Sequence, residues 1–110
     1  MVRRIQDRAT FESLRRSGRR ARRGPVTVTY VPDVVSSEAR VAYAVGRRVG
    51  GAVVRNRLRR RLRAAVAGMA ALEPGAYLVG ADPGAVGLPY DDLRTTLSTA
   101  MTAAHGDRSR

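Results

Sequence analysis

Residues 55 to 63, "RNRLRRRLR", carry six arginines in nine positions, with Asn56, Leu58 and Leu62 among them. A guanidinium offers a planar fork of donors that fits two phosphate oxygens at once, and it stays charged at any physiological pH. Arginine at this density points to a polyanion as ligand. Other chemistry is hard to assemble from this chain. There is no cysteine to serve as nucleophile, thiolate ligand or disulfide partner. The single histidine, His105, opens a segment "HGDRSR" (105–110) that reads as a disordered tail, so no role is expected of it. Asp91 and Asp92 are chain neighbours about 100° apart on a helix, and the dipole at a helix start explains them better than a shared metal. No carboxylates cluster at metal-ligand spacing, which argues against a nuclease that works by its own side chains.

The arginine segment has helical period. At about 100° per residue, Val54, Leu58, Leu62, Ala65 and Met69 lie within roughly 40° of one line, with Val66 at its edge. The opposite side carries Asn56, Arg59, Arg60 and Arg63, spaced i, i+3, i+4, i+7. Arg55, Arg57 and Arg61 flank the stripe, where their stems can lie on apolar surface while the heads reach water. The pattern predicts a helix from about Ala52 to Ala70, docked by its leucines. A merely solvated charged face is the alternative. Such faces usually mix signs to gain i, i+4 pairs. Here no acidic residue occurs between Glu38 and Glu73. Like charges at this spacing repel one another, so the face costs stability until an anion neutralises it.

The whole chain follows the same bias. All twenty-one basic residues are arginine, and the formal net charge is +12. Residues 1–63 hold eighteen arginines against four acids, and residues 64–110 hold three against five. The cationic footprint is therefore confined to one part of the molecule. A chain of 110 residues has room for one core, expected over residues 1–104. No apolar run approaches the length of a membrane span. The basic start "MVRRIQDRATF" has no apolar segment behind it, so a secretory signal is not expected and a cytoplasmic protein is.

The elements that must position the arginines can be read in order. Asp7 can cap a short helix with Phe11 and Leu14 on its apolar edge and Gly18 as its stop. "RRARRG" is a basic loop or a short strand. Residues 25–31, "PVTVTYV", alternate like a strand with two distinct faces, and Pro32 and Asp33 mark a turn. Residues 39–46 form a second strand, apolar on both faces after Arg40 and so expected to be central. "RRVGGAV" is a glycine-bearing connector into the arginine helix, which Pro74 and Gly75 end. Residues 75–81 form another apolar strand, "DPGAVGLP" a loop, and "YDDLRTTLSTAMTAA" a last helix. The order predicts an α+β fold in two layers, helices packed on a mixed sheet.

The run "VGRRVGGAVVRNRLRRRLR" resembles the signature of the bacterial ribonuclease P protein subunits. That family has two basic residues, a glycine-containing spacer, Ala-Val, and then an arginine-asparagine motif. The pattern falls on Arg47, Arg48, Gly50, Ala52, Val53, Arg55, Asn56, Arg59, Arg60 and Arg63. "TFESLRRSG", "AYLVGA" and the final helix extend the likeness over nearly the whole chain. The resemblance implies an α-β-β-β-α-β-α order with a mixed four-stranded sheet, if "RRARR" supplies the first strand, and a left-handed β-α-β crossover. It implies a partner, a catalytic RNA that removes the 5′ leader of precursor tRNA by phosphodiester hydrolysis. The protein then holds no cofactor of its own, and Mg2+ comes with the RNA. Arg47, Arg48, Arg55, Asn56, Arg57, Arg59, Arg60 and Arg63 would meet RNA. Phe11 and Tyr30 (or Thr29 in its place) would line a leader cleft between the sheet and the first helix. No membrane or small-molecule substrate is implied.

The chain departs from the family at two places. Asp82 stands where a basic residue is frequent, and the first helix has Leu14 or Arg15 where a second aromatic is frequent. On composition alone Phe11 reads as a core anchor more readily than as a cleft wall. Tyr30 lies on an alternating strand, either face of which could stack bases. Tyr43 and Tyr77 belong to apolar strands and read as core. The competing function is that of a structural RNA binder such as a small ribosomal protein, which shares the size and charge but needs no leader cleft. A helix-turn-helix DNA reader would need a helix where "ARVAYAV" reads as a strand. A membrane-surface helix would need the apolar stripe that the core uses.

Overall fold

A computed structural model describes residues 3–32, 38–69 and 72–105. The first strand, β1 (Arg3–Arg4), leads into helix α1 (Arg8–Ser17). Asp7 caps α1, with its carboxylate accepting from the Thr10 amide at 3.0 Å and the Thr10 hydroxyl at 2.6 Å. The helix stops at Gly18, whose amide donates to the Leu14 carbonyl at 3.0 Å. Glycine is required there by close approach. A Cβ would lie 2.3 Å from the Leu14 oxygen and 2.4 Å from the Thr29 methyl.

Strands β2 (Arg19–Arg23) and β3 (Val26–Pro32) form a hairpin turned by Gly24 and Pro25. Gly24 takes φ 56°, the positive value that the first position of a tight hairpin turn favours. Strand β4 (Ala39–Ala44) is followed by a short 3-10 turn at Arg47–Val49, helix α2 (Ala52–Ala67), strand β5 (Gly75–Ala81), a second 3-10 turn at Pro83–Ala85, and helix α3 (Tyr90–Ala104). The sheet order is β1-β4-β5-β3-β2. Strands β3 and β5 pair antiparallel, while β4 and β5 are parallel neighbours joined through α2. The sheet thus has five strands, one more than expected. The extra strand is the two-residue β1, which pairs with Arg40 and Val41 and is too short to leave a periodic signal. "RRARR" is a strand.

The two faces of the sheet are covered unequally. Val26, Val28, Tyr30, Val41, Tyr77 and Val79 are buried in one core with α2 and α3. The other face carries a small core of Ile5, Leu14 and Ala76, with Phe11, Val31, Ala42 and Leu78 half-buried around it under α1. Helix α2 ends at Ala67 with Gly68 as its cap, not at Ala70, which lies outside the described residues. Strand β4 ends at Ala44, because Gly46 leads into the 3-10 turn. Asp33 and the segment 106–110 also lie outside the described residues. Among the described residues, no helix is long and apolar enough to cross a membrane.

Candidate nucleic-acid interface

Helix α2 is seated by its stripe. Leu58, Leu62, Ala65 and Val66 are at most 2% exposed, and Val54 and Met69 are half-buried. The opposite side faces outward. Asn56, Arg57, Arg60 and Arg63 are exposed, and Arg55 and Arg59 are half-buried. The acids are elsewhere. Among the described residues the ion pairs are Arg3–Glu38, Arg22–Asp82, Arg40–Asp7 and Arg94–Asp91, and none uses an arginine of α2. The first turn of α2 contains no acidic residue and its Gly51 cap offers no side-chain acceptor, so the positive end of the helix dipole adds to the arginine field.

Neighbours of the protein itself orient several of these arginines. Arg59 donates to Asn56 Oδ1 at 2.9 Å and to the Val45 carbonyl at 3.3 Å, tying the outer face of α2 to the end of β4. Arg63 lies over the Tyr43 ring, 5.6 Å from its centroid, a cation–π contact. Burial pushes the Tyr43 hydroxyl pKa up, against the opposing field of Arg63, so the ring stays neutral beneath the guanidinium. Arg61 points the other way, donating to the Val86 carbonyl at 3.4 Å and to that of Leu88, and it pins the loop after β5. Arg47 and Arg48 are both exposed in the 3-10 turn just before α2. Turn geometry, instead of a continued strand, leaves both of them beside the arginine helix.

A second feature lies on the α1 face of the sheet. Cross-strand register aligns Arg22, Thr27, Gly80 and Ala44 in one row, and Arg20, Thr29, Leu78 and Ala42 in the next. Phe11 packs at the Ala42 and Leu78 end of this surface. The first row holds only small residues between Arg22 and the end of β4, which makes it an open floor beside α1. At one end of the floor Arg22 pairs with Asp82, and the Asp82 amide donates to the Pro25 carbonyl at 2.8 Å. At the other end Val45 leads to Arg59 and Asn56.

The family model for ribonuclease P matches residues 2–105. The chain belongs to the ribonuclease P protein family. A ribonuclease P protein component from Thermobifida fusca is 36% identical over 97% of this chain and 79% of its own length. One from Symbiobacterium thermophilum is 36% identical over 83% of this chain and 81% of its own. The ribonuclease P protein of Staphylococcus aureus superposes with a TM-score of 0.81 over 92% of this chain and 94% of its own, at 20% identity. That of Thermotoga maritima gives 0.78 over 89% and 94%, at 18% identity. At these identities the structures establish a shared fold, mixed α+β with helices on a single sheet.

Within that ribonuclease P fold, two expectations drawn from the sequence need correction. Tyr30 is only 3% exposed and points to the α2–α3 side, away from Phe11. Its hydroxyl donates to the Pro74 carbonyl at 2.7 Å, and its ring packs on that of Tyr77 in a tilted arrangement with 4.8 Å between centres. It is a core residue, and Thr29 is the neighbour that faces α1. His105 is not part of a roleless tail. It lies edge-on to Tyr30, 4.6 Å between ring centres, with its Nε2 2.8 Å from the Tyr77 hydroxyl. Burial raises the pKa of that hydroxyl far above the ordinary phenol range. Sequence reasoning also passed over Arg20 and Arg22. The signal was available in the alternation of β3, but only the β2–β3 register shows which arginines share a face with Thr27 and Thr29.

Proposed function

We propose that this chain works as the protein subunit of ribonuclease P, bound to a catalytic RNA that removes the 5′ leader of precursor tRNA. The observation that carries this reading is the outer face of α2. Asn56, Arg59, Arg60 and Arg63, flanked by Arg55, Arg57, Arg47 and Arg48, stand without a carboxylate partner among the described residues on a helix anchored by buried leucines. Such a rigid, uniformly cationic surface suits the phosphates of a folded RNA. The leader lies in the cleft between α1 and the sheet, with Phe11 as its aromatic wall and Thr27 and Thr29 on its floor.

The hydrolysis itself is assigned to the RNA, which supplies the Mg2+. Among the described residues no group of three or more His, Asp or Glu comes together that could hold a metal ion. The protein's share is to neutralise phosphates and hold the leader, which raises the effective concentration of substrate at the RNA's active site. Reconstitution tests this. Added to a bacterial ribonuclease P RNA at low magnesium, the chain should restore leader cleavage and leave a 5′ phosphate on the product. Tight RNA binding with no gain in cleavage would point instead to a structural RNA binder.

A further inference from the structure

Among the described residues, the large apolar side chains that stay exposed are Val53, Val86 and Tyr90. Exposed apolar residues scattered one by one ask for no explanation. These are not scattered. Val53, Arg57 and Arg61 follow one another at i, i+4 along one flank of α2. Arg61 closes that line by donating to the carbonyls of Val86 and Leu88, so the loop after β5 is held against the same flank. The two 3-10 turns lie against each other, which sets the start of this loop beside Arg47 and Arg48. Tyr90 opens α3 just after the loop. At about 100° per residue it shares the side of α3 that carries Arg94, Ser98 and His105. Those residues line a cavity together with Gly68 and Met69 from the end of α2, so Tyr90 is on the flank of α3 turned toward α2.

The resulting strip is charged differently along its two edges. Arg57 and Arg60 are exposed along the α2 edge, and Arg47 and Arg48 at its end. Asp91 and Asp92 are exposed on the α3 edge, next to Tyr90. A phosphate is attracted to the first edge and repelled from the second. A nucleotide has the matching polarity, with an anionic backbone on one side and an uncharged aromatic base on the other. A second copy of this chain would instead bring like charge to the strip, since each carries +12.

We propose that this strip is a shelf for unpaired bases of the RNA subunit, with their rings on Tyr90, Val86 and Val53 and their backbone along Arg57 and Arg60. The proposal rests on the reading of α2 as the surface for that RNA. It adds a contact of another kind, stacking instead of charge, on a flank that the outer face does not include. Every base has a π face, so the shelf holds a nucleotide by its being unstacked and not by its identity.

Salt separates the two kinds of contact. Losing one phosphate contact makes the log–log slope of affinity against salt shallower by about 0.7 to 0.9, whereas losing a stacking contact lowers affinity alike at every salt concentration. The test measures affinity for ribonuclease P RNA across a salt series, with thermal melts alongside, for the wild type, Tyr90→Ala, Tyr90→Phe, Val53→Ala and Arg60→Ala. Tyr90→Ala should bind about tenfold more weakly at an unchanged slope, and Tyr90→Phe should bind like the wild type. Val53→Ala should bind about threefold more weakly. Arg60→Ala should lose affinity with a shallower slope. Wild-type affinity in Tyr90→Ala would overturn the shelf and leave the arginine face standing on the Arg60→Ala result. A loss in Tyr90→Ala that comes with a shallower slope would also overturn it. If Tyr90→Ala melts lower, Val53→Ala decides, a loss with an unchanged melt supporting the shelf and no loss overturning it. Self-association of the free protein that Tyr90→Ala abolishes, with RNA affinity kept, would give the strip to a second copy and overturn the proposal. A wild type that does not bind the RNA would overturn the reading of α2 itself.

Discussion

Arg59 and Arg60 are neighbours of one residue type on one helix face, and the structure gives them different duties. Arg59 is tied to Asn56 and to the Val45 carbonyl. Arg60 is exposed and makes no intramolecular ion pair among the described residues. Arg60→Ala should therefore weaken binding to the RNA subunit by about 1.5 kcal/mol, roughly tenfold, without lowering Tm. Arg59→Ala should weaken binding and also lower Tm. Filter binding beside thermal melts checks both, and a lowered Tm for Arg60→Ala would show that its role is structural. Asp7 gives a pH prediction. Its carboxyl is held below the ordinary value of 3.8, mainly by the Thr10 hydroxyl, then by the Thr10 amide, with a smaller contribution from Arg40. A depressed carboxyl pKa contributes stability that is present above the unfolded value and lost as pH falls through the folded one. Tm should therefore drop below about pH 4 in the wild type, and Asp7→Asn should flatten that part of the curve. Parallel losses in the two proteins would contradict this.

Elements decide which residues share a face, and here reading from sequence both succeeded and failed. The stripe from Val54 to Met69 was legible because helical period is set by residues a few positions apart, and burial of Leu58 and Leu62 agrees with it. The caps Asp7 and Gly18 were legible for the same local reason. Tyr30 was not. Alternation shows that a strand has two faces, but which face meets which helix depends on partners distant in sequence, and both faces of this sheet carry helices. His105 was missed because its place is set by the Tyr30–Tyr77 ring contact, which joins strands distant in the sequence. Gly18 marks the tightest junction between elements. Gly18→Ala would push a methyl into the Leu14 carbonyl and the Thr29 side chain, and overpacking of this kind costs about 1–3 kcal/mol. Denaturant unfolding should show the loss, and an unchanged midpoint would mean that α1 shifts freely on β3. The same helix carries Phe11. Phe11→Ala should weaken precursor tRNA binding to the holoenzyme more than mature tRNA binding, and equal losses would remove Phe11 from the leader site.

At the scale of the molecule, one charge distribution explains the architecture. The chain carries +12 with no lysine, and the acids that the structure places against arginines lie just before β4, at the α1 cap, at the β5 end and in α3. None of them neutralises α2. A domain of this size bears the repulsion because leucines seat the helix on the sheet from behind, and the proposed function gives the remaining charge to RNA phosphates. The measurement that tests this most directly is the affinity of the protein for ribonuclease P RNA across a salt series. If roughly five or six phosphates are contacted, log affinity should fall against log salt with a slope of about −3.5 to −5.5. A slope near zero would contradict the account, because the arginine face would then be present without serving as an electrostatic surface for RNA.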